Sequence, residues 1–448
     1  MLRIAFIPLL RTTFDVPFAE QKILHARQSL LSAGFDLIEP HPPVSTIEDV
    51  HLVEQLLKGK AHDLLLIFQA TFADSTLVTA LSAASHASIF LWAVPEPWSG
   101  ERLRLNSLCG INLAAHALGL RKQQYAYAYG EVDDPEVMEK ILLNARVGSV
   151  KRRLQSSHLG VIGEHPDGMD SCHLDAEQLK SVFGVTVEQI SLEELFDMAR
   201  AVSPQLVAGI RAELSQSLDN LGGLDQPALS KTLQVYQALH DLAKIKQLDG
   251  LAVRCWPEFF TQLGCAACGA MSMLSDGFHA RTPIPCGCEA DINGTLTQLI
   301  LQYFSHAPAF GTDMVGIDSA QDLVALWHCG LAPLTMSDKQ IKPQGTIHSN
   351  RKMPLLMDFR LKPGAVTLAR ISQSGGKMRM VLGHGEMIEY PKPFSGTSGT
   401  LRPANSAKSF LDKLMKEGLE HHISLTYGNF VSEMALLAQQ LDLPILEI

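Results

Sequence analysis

The stretch Cys286–Gly330 reads CGCEADINGTLTQLILQYFSHAPAFGTDMVGIDSAQDLVALWHCG, and the interpretation of the whole chain starts from it. An acidic pair, Glu289 and Asp291, lies on a polar turn after a segment rich in proline and cysteine. The apolar run that follows, Leu296–Phe304, has the spacing of a short buried helix. The pattern therefore predicts carboxylates held at the end of a buried element.

Two further groups extend this pattern beyond the predicted helix. Asp313 comes after a Pro/Gly break, and a second apolar segment ends at His328. Carboxylates and imidazoles at the ends of buried segments are typical ligands of Mn²⁺ and Mg²⁺. Together with His422 near the C-terminus, Glu289, Asp313 and His328 therefore predict a metal site. Isolated acidic and histidine residues are common in a long chain, so spacing alone leaves a structural role open.

Length and composition predict a globular protein of two or three domains. A chain of 448 residues is too long for one core, and 46% hydrophobic with 19% charged residues is ordinary for globular proteins. The net charge of −10 disfavours nucleic-acid binding, and we interpret the basic triplet Lys151–Arg153 as part of a polar connection between domains. No secretory signal is visible, and no apolar run approaches the roughly 20 residues that cross a bilayer. We expect a cytoplasmic protein without a membrane partner.

Cysteine spacing offers an alternative site. Cys265 and Cys268 form a CxxC pair, and Cys286 and Cys288 form a CxC pair. Two such pairs are typical of structural zinc, although the second pair is one residue short of a zinc-ribbon knuckle. We favour buried reduced thiols and keep structural zinc as the alternative.

The first 155 residues alternate predicted strands with predicted helices. The strands are expected at 2–10, 35–40, 63–70 and 88–98, and the helices at Ala19–Gly34, Ile47–Lys58 and Asn106–Leu118. This alternation indicates a parallel, doubly wound sheet. Loops after such strands form ligand crevices, which makes four residues candidate contacts: Arg11, Gln69, Glu96 and Asn106.

Two further domains are predicted after the first. Residues 156–285 repeat an α/β pattern, with predicted helices at Leu174–Phe183 and Leu192–Ala201 and a helical stretch, Ser203–Gln247, interrupted near Gly222. Residues 286–448 are predicted as a C-terminal metal-binding domain, whose sequence after Gly330 has short, alternating segments rich in strand formers. The predicted fold class is α/β, with two Rossmann-like α/β domains followed by a β-rich, antiparallel, barrel-like C-terminal domain.

Three sequence features resemble the L-fucose isomerase and L-arabinose isomerase superfamily. They are the EADING turn at 289–294, Asp313 after PAFGT, and His422 ahead of Thr426-Tyr427-Gly428. The resemblance implies that Glu289, Asp313 and His422 bind Mn²⁺, with Mg²⁺ and Co²⁺ as alternatives. His328 lies about where the arabinose branch has a further histidine, so it is either a ligand or a neighbour of the ligands.

The resemblance also implies an activity and an assembly. Members convert aldoses to ketoses through a cis-enediol, which assigns Glu289 and Asp313 as catalytic acid and base. Members form homo-oligomers, often hexamers, in which the first domain of a neighbouring subunit completes the pocket. Arg11 and Asn106 are the implied contacts from that neighbour. His421 and Trp256 are further candidate substrate contacts, although for Trp256 we favour a core position.

The substrate stays open among a pentose, a deoxyhexose and an anionic sugar such as a sulfosugar. An anionic group would be bound by a basic side chain, and the candidates are Arg11, Arg254, Lys342, Arg351 and Arg402. Two other classes of function remain alternatives. One is a non-catalytic sugar-binding or regulatory protein of the same fold, and the other is an interaction scaffold held by a zinc site.

Overall fold

The structure is a computed structural model that describes residues 1–279 and 281–448. The chain divides into two compact units, Met1–Arg153 and Leu154–Ile448, called unit 1 and unit 2 below. Unit 1 contains five strands and five helices in alternation: β1 (Arg3–Leu9), α1 (Val16–Ser32), β2 (Asp36–Ile38), α2 (Ile47–Leu57), β3 (Leu64–Gln69), α3 (Ser75–Ala83), β4 (Ser88–Ala93), α4 (Ser107–Leu120), β5 (Tyr125–Tyr129) and α5 (Pro135–Leu154), whose last residue reaches unit 2.

Unit 1 is the parallel α/β sheet that the sequence predicts. Its strand order is β2-β1-β3-β4-β5, and each neighbouring pair is parallel. The strands β1, β3 and β4 are buried almost throughout because helices supply apolar side chains to both faces, which gives continuous apolar runs rather than alternation.

The basic triplet lies at the boundary between the two units, as predicted, but its interpretation as a non-helical connection is wrong. Lys151–Arg153 forms part of the last turn of α5, where basic side chains complement the negative end of the helix dipole. Arg152 contacts the buried carboxylate of Asp63 at 2.8 Å. The helix was missed because its mean hydropathy is low and its apolar stripe is weak.

Unit 2 contains the remaining elements. They are β6 (His158–Ile162), α6 (Ala176–Phe183), β7 (Thr186–Ile190), α7 (Leu192–Ala201), α8 (Pro204–Ser217), α9 (Gln226–Lys246), β8 (Gly250–Val253), α10 (Cys268–Asp276), β9 (Cys286–Gly287), α11 (Ile292–Ser305), β10 (Phe310–Asp318), β11 (Leu323–His328), β12 (Gln344–Thr346), β13 (Leu356–Arg360), β14 (Gly364–Ser372), β15 (Arg379–Ile388), β16 (Thr397–Pro403), α12 (Ala407–Glu417), β17 (His422–Tyr427), α13 (Val431–Gln440) and β18 (Ile445–Glu447).

Two sheets organise unit 2. A parallel four-stranded sheet has the order β7-β6-β8-β9, and a mixed nine-stranded sheet has the order β12-β13-β16-β11-β10-β17-β14-β15-β18. Strand β16 pairs with β11 and also with β15. The pairings therefore lead from β16 through β11, β10, β17, β14 and β15 back to β16. One apolar cluster runs from Ile162 to Ile448 and joins both sheets. The predicted division of this region at residue 285 stays a prediction.

Helix α11 and strand β10 position the acidic residues of interest. The predicted buried helix is confirmed, since nearly every residue of α11 is buried. Strand β10 was not predicted, because FGTDMVGID carries two glycines and two aspartates, which are depleted in strands. Within the described residues, every helix falls short of the length and apolar character that a bilayer span needs.

Candidate metal centre

The register of the mixed sheet brings Asp313 next to His422. Strand β10 lies between β11 and β17 and is antiparallel to both, and Asp313 is paired with Trp327 on one side and His422 on the other. Directly opposed residues of antiparallel strands project their side chains to the same face. His328, the residue after Trp327, ends β11 beside this pair, and its ring centroid is 6.0 Å from that of His422.

Glu289 reaches the same place from a strained turn. Glu289 and Ala290 both have positive φ, 57° and 56°, which is uncommon for residues with a side chain and costs of order 1–3 kcal/mol each. Asp291 then caps α11 by accepting from the Gly294 amide at 2.9 Å. A Cβ on Gly294 would lie 2.4 Å from Asp291 Oδ2, so only glycine fits at this position.

His422 contacts carboxylates through both ring nitrogens. Its Nδ1 lies 3.0 Å from Asp291 Oδ2, while its Nε2 lies 3.5 Å from Asp313 Oδ1 and 4.0 Å from Glu289 Oε2. Asp313 Oδ1 is buried and has no hydrogen-bond partner among the described residues. A histidine oriented by a carboxylate at one nitrogen and facing two acids at the other matches a divalent-cation site. The residues therefore fit the metal that the resemblance implies.

The Glu289 carboxylate is held by two donors. The Trp256 indole N–H donates to Oε1 at 3.1 Å, and His421 Nε2 lies 3.2 Å from Oε2. Burial alone would raise the pKa of Glu289, but the hydrogen bonds from His421 and Trp256 and the nearby His422 outweigh it, so the pKa lies below its ordinary value. The bond to Glu289 in turn raises the pKa of His421. Glu289 is thus kept ionised, as a ligand or a base requires.

A buried arginine anchors the other carboxylate. Arg370 Nη1 donates to Asp291 Oδ2, and both side chains are 3% exposed. Burial would raise the pKa of Asp291, yet Arg370 and His422 hold it well below the usual range. Sequence reasoning missed Arg370. The available signal was a single arginine inside the apolar strand VTLARIS, where a buried cation requires a buried partner.

Among the described residues, two groups each have possible metal-ligand atoms that lie within 4.8 Å of one another. Glu289, His421 and His422 form the first, to which Asp313 is close through His422. Cys172, Asp291 and His422 form the second, but Asp291 already pairs with Arg370 and burial raises the pKa of the Cys172 thiol. We therefore regard Glu289, His422 and Asp313 as the candidate metal centre, with His421 beside it in contact with Glu289.

His328 is close to the candidate metal centre, but its tautomer makes it a hydrogen-bond donor and not a metal ligand. The Cys329 amide donates to its Nδ1 at 2.9 Å, so a neutral ring carries its proton on Nε2. Burial lowers the pKa of His328 to about 4, which keeps the ring neutral. A ring with a protonated Nε2 and an occupied Nδ1 has no lone pair for a cation, which favours a position next to the ligands.

The thiols pair across the core instead of forming a zinc quartet. Cys255 Sγ lies 2.9 Å from Cys288 Sγ, and Cys268 Sγ lies 3.1 Å from Cys329 Sγ. Among the residues the structure describes, no group of three cysteines has its sulfurs within 4.8 Å of one another. Cys265 is instead buried and near Thr232. The geometry favours buried reduced thiols.

The predicted contacts in unit 1 lie at the loop ends of its strands. Arg11 is exposed after β1, and its amide donates to Thr71 Oγ1 at 2.7 Å. Asn106, at φ 54°, precedes α4, and its amide donates to Glu96 Oε2 at 2.7 Å. Gln69 is fully buried, so it is less suited to contact a substrate. Arg11 and Asn106 stay predictions as substrate contacts.

Comparisons with known proteins bear on the family of the chain. Residues 326–448 match the family model described as L-fucose isomerase, C-terminal domain. The chain is 30% identical over 442 residues to a sulfoquinovose isomerase from Priestia megaterium, with 98% of both chains covered. It is 30% identical over 455 residues to one from Alkalicoccus urumqiensis, with both chains covered completely, and 29% identical to one from a Clostridium species.

These likenesses define the class and then the family. The chain is an isomerase with an α/β fold. It belongs to the L-fucose isomerase-like superfamily, as the sequence features predicted, and is therefore a sugar isomerase.

Solved structures add nothing to this assignment. Solute-binding proteins from Burkholderia multivorans and Actinobacillus succinogenes each cover 68% of the chain, at 15% and 13% identity. Both alignments have a TM-score of 0.19, so they carry no argument for the sugar-binding alternative.

Proposed function

We propose that the chain is an aldose–ketose isomerase that depends on a divalent cation and acts on sulfoquinovose, a hexose with a sulfonate at C6. The full-length relatives that bear this activity in their names support the substrate. The metal part rests on one observation, the orientation of His422 by Asp291 with Nε2 facing Asp313 and Glu289. Mn²⁺ is the expected cation, with Mg²⁺ and Co²⁺ as alternatives.

Glu289, Asp313 and His422 would bind the cation. When bound, it supplies a Lewis acid that polarises the sugar carbonyl and the adjacent hydroxyl. The side chains of Glu289 and His422 are only 13% and 8% exposed, so the charges act where water screens them little. His328 and His421 lie beside these ligands. Each can donate a hydrogen bond from a ring N–H, His328 as a neutral ring and His421 as a ring with a raised pKa.

The two acids divide the proton transfers. Glu289, kept ionised by Trp256 and His421, accepts the proton from C2 of the aldose and returns it to C1. Asp313, whose Oδ1 accepts no hydrogen bond from the described residues, moves the hydroxyl proton from O2 to O1. The sugar passes through a cis-enediol, and no atom is gained or lost.

Chelation followed by metal replacement tests this proposal. Protein stripped with a chelator should lose isomerisation of sulfoquinovose, and Mn²⁺ should restore it. In D₂O the ketose should gain deuterium at C1, because the shuttled proton exchanges with solvent. Turnover that survives complete metal removal contradicts the cation requirement, and turnover of neutral aldoses alone contradicts the substrate. Binding of sulfoquinovose without any turnover would instead support the sugar-binding alternative.

We also propose that the active form is a homo-oligomer in which unit 1 of a neighbouring copy carries Arg11 and Asn106 to the centre. The superfamily resemblance supports this arrangement. Mixing inactive R11A copies with inactive E289Q copies should restore activity. Some sites in the mixed oligomers then combine an intact Arg11 from an E289Q copy with an intact Glu289 from an R11A copy. Mixed oligomers that remain inactive, or an active monomer, contradict the shared site.

A further inference from the structure

A cavity of about 290 Å³ opens beside Trp256 in unit 2. It is lined by Trp256, Phe260, His348, Asn350 and Arg351. Its volume is near the lower end of the about 300–1,000 Å³ that small-molecule sites occupy. The same Trp256 whose indole N–H donates to Glu289 lines this cavity, so one side chain borders both the cavity and the candidate metal centre.

Arg351 is the cation of this cavity. Its guanidinium lies 5.8 Å from the centroid of the Phe260 ring. Within the described residues, no carboxylate oxygen lies within 4.0 Å of its nitrogens, so the guanidinium has no ion-pair partner there. A guanidinium that is packed on an aromatic ring and unpaired is available to bind an oxyanion with two parallel hydrogen bonds.

His348 adds a neutral donor from a closed turn. Its Nδ1 accepts from the amides of Asn350 and Arg351 at 3.3 Å each, so its proton lies on Nε2. Its backbone closes the turn by accepting from the Lys352 amide at 2.8 Å. The ring packs edge-on against Phe260 at 5.2 Å, which fixes its orientation. Burial, with a smaller contribution from Arg351, lowers the pKa of His348 and keeps it neutral near pH 7.

The other basic candidates are occupied or lie elsewhere. Arg254 pairs with Glu258 at 2.9 Å, and Lys342 pairs with Asp219 at 2.6 Å. Arg402 is exposed on β16 opposite Glu386 of β15, and Arg11 belongs to unit 1. Of the five basic side chains proposed above as candidates for binding an anionic group, Arg351 alone lines the cavity next to the Glu289–Trp256 pair.

We infer that this cavity is the subsite for the anionic end of the sugar, with Arg351 and His348 binding a sulfonate at C6 while C1 and C2 lie at the metal centre. The inference rests on the proposed function and names the residues that select its substrate. One cation with neutral donors matches the single charge of a sulfonate better than the double charge of a phosphate ester.

Paired sugars and paired variants test the inference. The sugars are sulfoquinovose, 6-deoxyglucose, which lacks only the sulfonate, and glucose 6-phosphate. The variants are R351Q, R351K and the control K352Q, which removes a neighbouring positive charge that does not line the cavity. In R351Q, kcat/KM for sulfoquinovose should fall by about ten- to a hundredfold, the range for a lost hydrogen bond to a charged group. For R351K, kcat/KM for sulfoquinovose should lie between the values of the wild type and R351Q. For 6-deoxyglucose, kcat/KM should be the same in the variants as in the wild type.

Calorimetric binding of the same sugars separates this inference from the proposed function. Sulfoquinovose binding that depends on Arg351 but not on Lys352 supports the subsite even when turnover is absent, and only the reaction is then contradicted. Equal effects of R351Q and K352Q, or equal losses for sulfoquinovose and 6-deoxyglucose, overturn the subsite while the reaction stands. Preference of the wild-type protein for glucose 6-phosphate overturns the assignment of a sulfonate.

Discussion

His422 Nδ1 lies 3.0 Å from Asp291 Oδ2, and this contact determines which ring nitrogen faces the other two acids. Asp291 is held as a carboxylate by Arg370, so it accepts and His422 Nδ1 donates. Nε2 is then left with its lone pair toward Asp313 and Glu289. The buried ion pair therefore sets the tautomer and orientation of one ring of the candidate metal centre.

Replacing Asp291 with asparagine should weaken both the fold and the metal affinity. The buried Arg370 charge loses its counter-ion, which costs about 3–5 kcal/mol of unfolding free energy. The orienting carboxylate is also lost, which should lower Mn²⁺ affinity by about 10–100-fold. Denaturant unfolding and calorimetric Mn²⁺ titration measure the two effects.

A double variant separates the two effects of Asp291. D291N/R370M removes both buried charges and should recover part of the stability, because an apolar replacement of a buried pair is often tolerated. It should not recover Mn²⁺ affinity. The exposed control D412N should change neither quantity. Full recovery of Mn²⁺ affinity in the double variant would show that Asp291 acts only on stability.

Replacing Glu289 with glutamine should abolish catalysis and preserve the fold. The side chain keeps its size and one acceptor for Trp256, but loses the charge to which we assign cation binding and proton transfer. We expect kcat to fall by about 10²–10⁴-fold at saturating Mn²⁺. E386Q, on the exposed part of β15, is the matched control and should retain activity. Near wild-type turnover in E289Q would contradict its assignment.

Sequence reasoning reaches the acids and the late histidine but not what orients them. The turn at 289–294 and Asp313 stand out because acids next to apolar runs are visible in one dimension. Arg370 lies far from Asp291 in sequence, and only the pairing of β14 and β17 over α11 brings them together. In the same way, alternation predicts the sheet of unit 1, whereas β10 is made a strand by its two neighbours and not by its own residues.

His328 and His422 should respond differently to the same substitution. Because the Cys329 amide occupies His328 Nδ1, H328Q should leave Mn²⁺ affinity little changed while lowering kcat/KM. H422Q should lower Mn²⁺ affinity by about 100-fold or more, since it removes a ligand oriented by a carboxylate. Calorimetric titration of both variants measures the difference. Equal losses of affinity would mean that His328 is a ligand through the opposite tautomer.

The thiols should not bind zinc. Cys268 and Cys288 each contact a different cysteine, Cys329 and Cys255, so a four-sulfur site is not formed by the predicted quartet. Protein loaded with Co²⁺ should lack the thiolate charge-transfer absorption, and C265S/C286S should have the metal content of the wild type. A thiolate band that disappears in C265S/C286S would restore the zinc alternative.

Two helix glycines in unit 1 should respond in opposite directions to alanine. A Cβ on Gly148 of α5 would lie 1.8 Å from the backbone oxygen of Asp63, so the helix would have to move away from the sheet. We expect G148A to lose more than about 3 kcal/mol of unfolding free energy. Beyond its own helical turn, Gly119 of α4 has no described atom within 4 Å of its Cβ position, and G119A should gain about 0.5–1 kcal/mol from the lower entropy of its unfolded chain. Unfolding of the full chain measures both, and a G148A variant as stable as G119A would mean that α5 does not pack on Asp63.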